Sequence, residues 1–358
     1  MSLSYRLIKP VDLDSYLVDV WYKILADNQI YQSPYFCPEF TQLVSSVRDD
    51  VKIVVIERSG CPVGFFPYQR SFLGVGKPVG GPLSDFHGVI ADTNITWEVH
   101  QLMRAAHIKV WDFNHLVGNP AQFKQHVISQ DISPQIDLSQ GYAQYEKEHR
   151  ASGSKYIQKT KTLARKLEKE VGRISFTFHE SDGSALKQLI HWKSNQYKRT
   201  NLFDIFGVNW TGELLQRLLQ IQTPNFGGVC SVLRAGDHIV AVHMGMRSQK
   251  TLHYWFPAYD VKFAMFSPGI ILLLRLANEL DNKEIEVIDL GKGMSQYKER
   301  LMNRSVLLQE GSVELPSIFE IVRKIRQRAH DIADRGEVRL LHLPLRAINR
   351  ILQTRKFR

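Results

Sequence analysis

The chain has 358 residues, with 44% hydrophobic and 23% charged residues and a formal net charge of +10. That balance is ordinary for a globular protein of one large or two average domains. No apolar run approaches the roughly 20 residues of a membrane span, and three scattered cysteines (Cys37, Cys61 and Cys230) argue against a disulfide framework or a zinc site.

The N-terminus meets charge early and has no apolar signal core, so a cytoplasmic protein is expected. YRLIKP reads as a strand. DLDSYLVDVWYKILADN carries Leu13, Leu17, Val20, Trp21, Ile24 and Leu25 on one helical face, with Asp12 as expected N-cap. CPEFTQLVSSVRD reads as a second helix. VKIVVIER and PVGFFPYQR are strands joined at Ser59-Gly60, an antiparallel hairpin signal. GVGKPVGGPLSDFHG is loop, ITWEVHQLMRAA a helix and VWDFNHLV a strand. Residues 118–140 look polar and weakly patterned, and the domain boundary is placed there.

The second half repeats this rhythm. One or two polar helices over residues 141–170, interrupted at Gly153, lead into the strand RISFTFHES, the helices SALKQLIHWKSNQYKRT and TGELLQRLLQIQ, and three strands GGVCSVLRA, HIVAVHMGMRS and TLHYWFPAYD. The helix SPGIILLLRLANEL, the strand EIEVIDLG, a short helix SQYKERL and the strand SVLLQEGSVEL follow. Two basic amphipathic helices end the chain; residues 317–358 hold eleven Lys/Arg against four Asp/Glu. The repeated order suggests two copies of one α/β (α+β) fold, each a mixed, mostly antiparallel sheet flanked by helices. The expected domains are residues 1–140, 141–316 and a tail, 317–358. The basic excess favours anionic partners, whether nucleotide phosphates, nucleic acid or a membrane surface.

Several segments carry a family resemblance: Trp192 to Tyr197, Leu252 to Asp260, Ser267-Pro268-Gly269, and Asp289 to Gly293 with Tyr297-Lys298. With YFCPEF, VGFFPYQR and GPLSDFHG of the first half, they resemble the CelD-like GNAT-type acyltransferases of bacterial cellulose and exopolysaccharide synthesis. That resemblance covers about residues 30–310, and the repeated rhythm is similar to the related Fem-type aminoacyltransferases, which have two GNAT-like domains in tandem.

The resemblance implies acetyl-CoA or another acyl-CoA as co-substrate, its pyrophosphate at the helix start Ser267, Pro268, Gly269 and Ile270. Independently, Pro in a first turn leaves the following amides at the positive end of the helix dipole, where phosphate binds readily. Residues 260–269 contain a single glycine, fewer than the usual GNAT loop. His243 is the candidate base or substrate contact, Asp289 orients it or the substrate, and Lys298 by resemblance steadies the transition state. Asp85, His87, His253, Tyr254 and Trp255 are candidate acceptor contacts. Each also has a plain reading: sheet-face histidines, turn-forming aspartates, a solvated lysine, aromatic core.

The expected function is direct acyl transfer to a sugar, amino-sugar or related acceptor, in partnership with polysaccharide synthase machinery. The alternatives are an aminoacyl-tRNA-dependent Fem-like enzyme, which the basic helix of residues 155–170 favours, and a catalytically silent scaffold. The basic tail is read as docking on the protein, with contact to an anionic membrane as the other reading.

Overall fold

A computed structural model describes residues 2–71, 73–118 and 121–315; the basic tail at 317–358 lies outside them. In chain order the elements are β1 (Leu3–Ile8), α1 (Ser15–Ala26), α2 (Pro38–Ser45), β2 (Val51–Arg58), β3 (Cys61–Arg70), β4 (Val75–Lys77), β5 (Ile90–Ala91), α3 (Val99–Ala105) and β6 (Val110–Val117). There follow β7 (Val127–Asp137), α4 (Tyr142–Ala151), α5 (Tyr156–Glu170), β8 (Ile174–Thr177), α6 (Ser184–Arg199), α7 (Asn209–Gln220), β9 (Gly227–Ala235) and β10 (His238–Arg247). The last are β11 (Thr251–Tyr259), α8 (Pro268–Glu279), β12 (Val287–Asp289), α9 (Gln296–Leu301) and β13 (Arg304–Glu314). Among the described residues no helix is long and apolar enough to cross a membrane.

Two compact units emerge. Of the described residues, the first comprises those within 2–24, 49–129 and 309–315; the second comprises Leu25–Arg48 and Gln130–Leu308. Each is a mixed sheet flanked by helices.

In the first unit the strands run β1-β2-β3-β4-β6, antiparallel except for the β4/β6 pair. Ser59 and Gly60 both take positive φ, 53° and 80°, the left-handed pair that a two-residue hairpin needs to follow strand twist. Asp12 closes a short 3₁₀ turn at Pro10–Asp12 through its contact with Lys9 N–H (2.9 Å), and Asp14 caps α1 by accepting from Leu17 N–H (2.8 Å). The expected cap is therefore displaced by two residues, because Pro10 starts a separate turn. The core gathers Val54, Ile56, Phe66, Trp97, Leu102 and Trp111, with Trp111 stacked on Phe66 at 3.7 Å.

In the second unit the order is β7-β12-β11-β10-β9-β8, antiparallel except for β11/β12. Within the stretch read from sequence as a polar break, Val127–Asp137 is strand β7. Helix α8 packs Ile271, Leu272, Leu273, Leu276 and Ala277 into the core while Arg275 and Asn278 face solvent, the stripe expected of a sheet-covering helix. Helix α2 and its flanks join this unit: Ser248 Oγ donates to Gln32 O (2.6 Å) and Arg217 donates to Ser46 O (2.9 Å).

Candidate active site

The β11/β12 pairing is short. Thr251, Leu252 and His253 pair with Val287, Ile288 and Asp289, and there it stops. Beyond it β11 stays on β10 as far as Tyr259, while the chain after Asp289 follows β7 through Leu290 N–H to Pro134 O (3.0 Å) and Gly293 N–H to Ile132 O (3.3 Å). The two strands thus part as a fork. Gly291 and Gly293 take φ of 77° and 86°, a left-handed backbone that β-carbon-bearing residues resist.

The last pair before the fork is polar. Asp289 has no solvent exposure and accepts from Ser133 Oγ (2.9 Å), Gln135 Nε2 (2.8 Å) and Gly291 N–H (2.9 Å). His253 Nδ1 lies 3.1 Å from Asp289 Oδ1. A carboxylate at Nδ1 holds the proton there and leaves Nε2 as the basic nitrogen. Tyr35 meets the His253 ring edge-on at 5.0 Å.

His243 is on the other face. Leu252 and Tyr254 point into the core with α8, so His253 between them points away from it. His243 stacks on Tyr254 at 4.2 Å. Asp289 therefore orients His253, and no bond from Asp289 to His243 occurs among the described residues. Full burial, then the neighbouring His253, push the His243 imidazolium down to about 3, which keeps the ring neutral and makes it a weak base. Neither ring nitrogen makes a hydrogen bond of regular geometry, although the His253 carbonyl faces the ring. The β10/β11 register shifts here, with three steps on β11 from His253 to Phe256 against two on β10 from Met244 to Met246, so the extra residue lies on β11; at Gly245 a β-carbon would overlap the His253 carbonyl and crowd His243 Nε2 (2.6 Å).

Helix α8 begins beside the open end of β11. Ser267 is in the left-handed region (φ 54°) and Pro268 is the first helical residue. The Ile270 and Ile271 amides both bond Ser267 O, at 3.0 and 3.2 Å. The Ile270 amide is thus engaged, contrary to the expectation of two open amides. The Gly269 amide makes no hydrogen bond among the described residues. A β-carbon at Gly269 would meet only Tyr259 Cδ1 at 3.6 Å. The Tyr254 hydroxyl, 3.5 Å from Gly269 O, links the helix start to the strand. One open amide, a positive helix end and an uncrowded approach fit a phosphate group there.

Lys298 is drawn onto the loop after β12. Its Nζ donates to Gly291 O (2.8 Å) and Lys292 O (3.2 Å) and so braces one side of the fork. Trp255 is half-buried, 5.8 Å from Tyr35 and stacked on Phe256 at 4.7 Å. Asp85 and His87 belong to the first unit, where Asp85 Oδ1 lies 3.6 Å from His115 Nε2. A groove of about 490 Å³ also runs between α4, α5 and α8, lined by Tyr142, Lys161, Ile271 and Arg275. Its Lys161 is paired with Glu146 at 2.6 Å, and no histidine or cysteine lines it.

Sequence reasoning missed Ser133, Gln135, Gly245 and Tyr35. For the first two a signal existed: Ile132, Pro134, Ile136 and Leu138 alternate, which places Ser133 and Gln135 together on the opposite face.

Residues 154–299 match the family model of the acetyltransferase (GNAT) domain. A comparison with curated proteins gives no match. Among solved structures the chain is similar to FemX, at a TM-score of 0.53 and 9% identity, over 80% of this chain and 97% of that one. It is similar as well to a tandem GNAT protein from the clavulanic acid biosynthesis pathway, at 0.51 and 9%, over 88% and 100%. At such identities these likenesses show the fold. The chain carries a GNAT-type acyltransferase domain within a tandem GNAT fold.

Proposed function

We propose that the second unit transfers an acyl group from acyl-CoA directly to an amine or hydroxyl of a sugar, amino-sugar or related acceptor. The observation that carries this reading is the fork between β11 and β12 with the start of α8 beside its open strand. GNAT domains generally use acyl-CoA, a thioester that supplies the activated acyl group. The Gly269 amide and the α8 dipole would hold its pyrophosphate. The backbone of Tyr254–Tyr259 on its unpaired side would take the extended arm as an added strand.

The nucleophile then meets the thioester carbonyl at the fork. Its proton goes to His253 Nε2, which Asp289 makes the basic nitrogen, or the amine arrives already neutral. A bond forms between nucleophile and acyl carbon, and the carbon–sulfur bond breaks with the thiolate leaving. His243, neutral and stacked on Tyr254, shapes the α8 side of the strand. Lys298 holds the Gly291–Lys292 carbonyls and places its charge beside the developing oxyanion. The exopolysaccharide setting rests on the resemblance of the quoted motifs alone.

A second reading has one observation behind it. Helix α5 exposes Lys155 at its start, then Lys159, Lys161, Arg165, Lys166 and Lys169, a face that suits RNA phosphates. An aminoacyl-tRNA donor, as the Fem-type likeness suggests, would use it.

Calorimetric titration with acetyl-CoA tests the proposal, with Gly269→Glu as control. Micromolar binding that the variant loses supports it. No heat at millimolar acetyl-CoA, together with salt-sensitive tRNA binding, would replace it with the second reading; neither would point to a silent scaffold.

A further inference from the structure

Lys193 lies in the middle of α6, half-buried. Among the described residues no carboxylate pairs with it. Its neighbour is the Tyr197 ring, 5.9 Å from Nζ to the centroid. The carboxylate of Asp204 is turned to other groups, its Oδ1 accepting from Ser194 Oγ (3.1 Å) and Phe206 N–H (3.1 Å). A cation withdrawn from water without a counter-charge costs free energy unless something else supplies the negative partner. Burial alone pushes this ammonium down to about 8.

From Lys193 a run of rings leads to the fork. Tyr197 touches Phe206 at 6.2 Å, Phe206 meets Phe256 edge-on at 5.4 Å, and Phe256 stacks on Trp255 at 4.7 Å. Trp255 lies 6.4 Å from His253. Tyr197, Phe206 and Trp255 all keep part of their surface open. A continuous apolar wall with a lone cation at one end and the His253–Asp289 pair at the other has the shape of a recognition surface.

We infer that this wall is the acceptor surface, and that Lys193 takes an anionic group of the acceptor, a carboxylate or a phosphate. The acceptor's body lies on Tyr197, Phe206 and Trp255, and its nucleophile reaches the fork. This rests on the acyltransferase reading above and narrows its substrate to an acidic acceptor.

The test uses the full chain without acetyl-CoA, so failure of donor binding and failure of this inference are read separately. N-acetoxysuccinimide acetylates lysine amines, and mass spectrometry of peptides gives the rate at each one. Labelling is run with glucose 6-phosphate, glucuronate or glucose at equal ionic strength. The expected result is that one or both acidic sugars slow labelling at Lys193 about fivefold, the protection given by a ligand at about four times its Kd. Glucose leaves Lys193 unprotected, and exposed Lys262 reacts equally in all three. The more protective acidic sugar identifies the group as phosphate or carboxylate. Equal labelling of Lys193 in all three overturns the inference. Lys193→Met provides the second arm. It melts no lower than the parent because an unpaired charge is removed, and it loses the gain in Tm that the protective sugar gives. A variant that keeps that gain also overturns the inference.

Discussion

Each half of the chain places a parallel strand pair after three antiparallel strands and a helix, and the two pairs end differently. In the first unit the pairing closes with Gly76 opposite Trp111, and Trp111 is stacked into the core on Phe66. In the second it closes with His253 opposite Asp289, a buried polar pair with three further donors on the carboxylate. The helices differ in the same sense. α3 has seven residues and starts after Glu98, whereas α8 has twelve and starts with Pro268-Gly269 beside the long strand β11. One junction is filled with apolar side chains; the other keeps hydrogen-bonding groups where two strands separate. A repeated layout therefore does not imply a repeated site, and the chemistry is expected in the second copy.

The sharpest way to break this contrast is Asp289→Ala. It leaves His253, Ser133, Gln135 and the Gly291 amide without their shared acceptor in a fully buried place, and should cost about 3–5 kcal/mol in urea unfolding. Asp289→Asn should lose less stability and still abolish most transfer. Next is Gly245→Ala, whose methyl would press on the His253 carbonyl; a loss of about 1–3 kcal/mol is expected from overpacking. Gly269→Glu should keep its stability yet weaken acetyl-CoA at least about tenfold, or 1.4 kcal/mol, in calorimetry. Gly76→Ala, in the first unit, should leave that affinity unchanged, and a loss there would undo the assignment to the second copy.

Acid titration reads a single group through its slope. His243 is depressed to about 3 in the folded protein, below its unfolded value near 6.5. Between these values the unfolded chain holds a proton that the folded one does not, so stability is full above 6.5 and falls with pH. The slope contributed is about 1.4 kcal/mol per pH unit. His243→Phe, which keeps a ring on Tyr254, should flatten the decline of Tm between pH 6 and 4. Least of all, Asp85→Asn in the first unit should change stability by about 0–1 kcal/mol, the scale of a partly exposed ion pair.

Much of the second unit could be read before folding. Pro268 and the aliphatic spacing after it announced α8, and Ala235-Gly236-Asp237 announced the β9/β10 hairpin, where Gly236 takes φ of 55°. What failed was long-range. β7 looked like a linker because the face it turns to Asp289 carries Ser133 and Gln135, so both its faces are not apolar. His243 and Asp289 looked like partners because strand register, which sets the faces, is invisible in local pattern. Tyr35 stands more than 200 positions before His253, and no spacing rule connects them.

The placement of helix α2 bears on how the protein is made. Leu25–Arg48 leaves the ribosome well before the rest of its unit, which extends to Leu308. At roughly 5–20 residues per second, the interval before those partners exist is on the order of tens of seconds. Until α7 and β11 are made, Tyr35, Phe36, Phe40 and Val44, all buried in the finished protein, lack the native elements this segment packs against. Asp49–Ser129 is meanwhile synthesised and can begin to collapse around a stretch of chain that belongs elsewhere. For this molecule the order of synthesis and the order of assembly diverge, and these four apolar side chains are where a chaperone would meet the nascent chain.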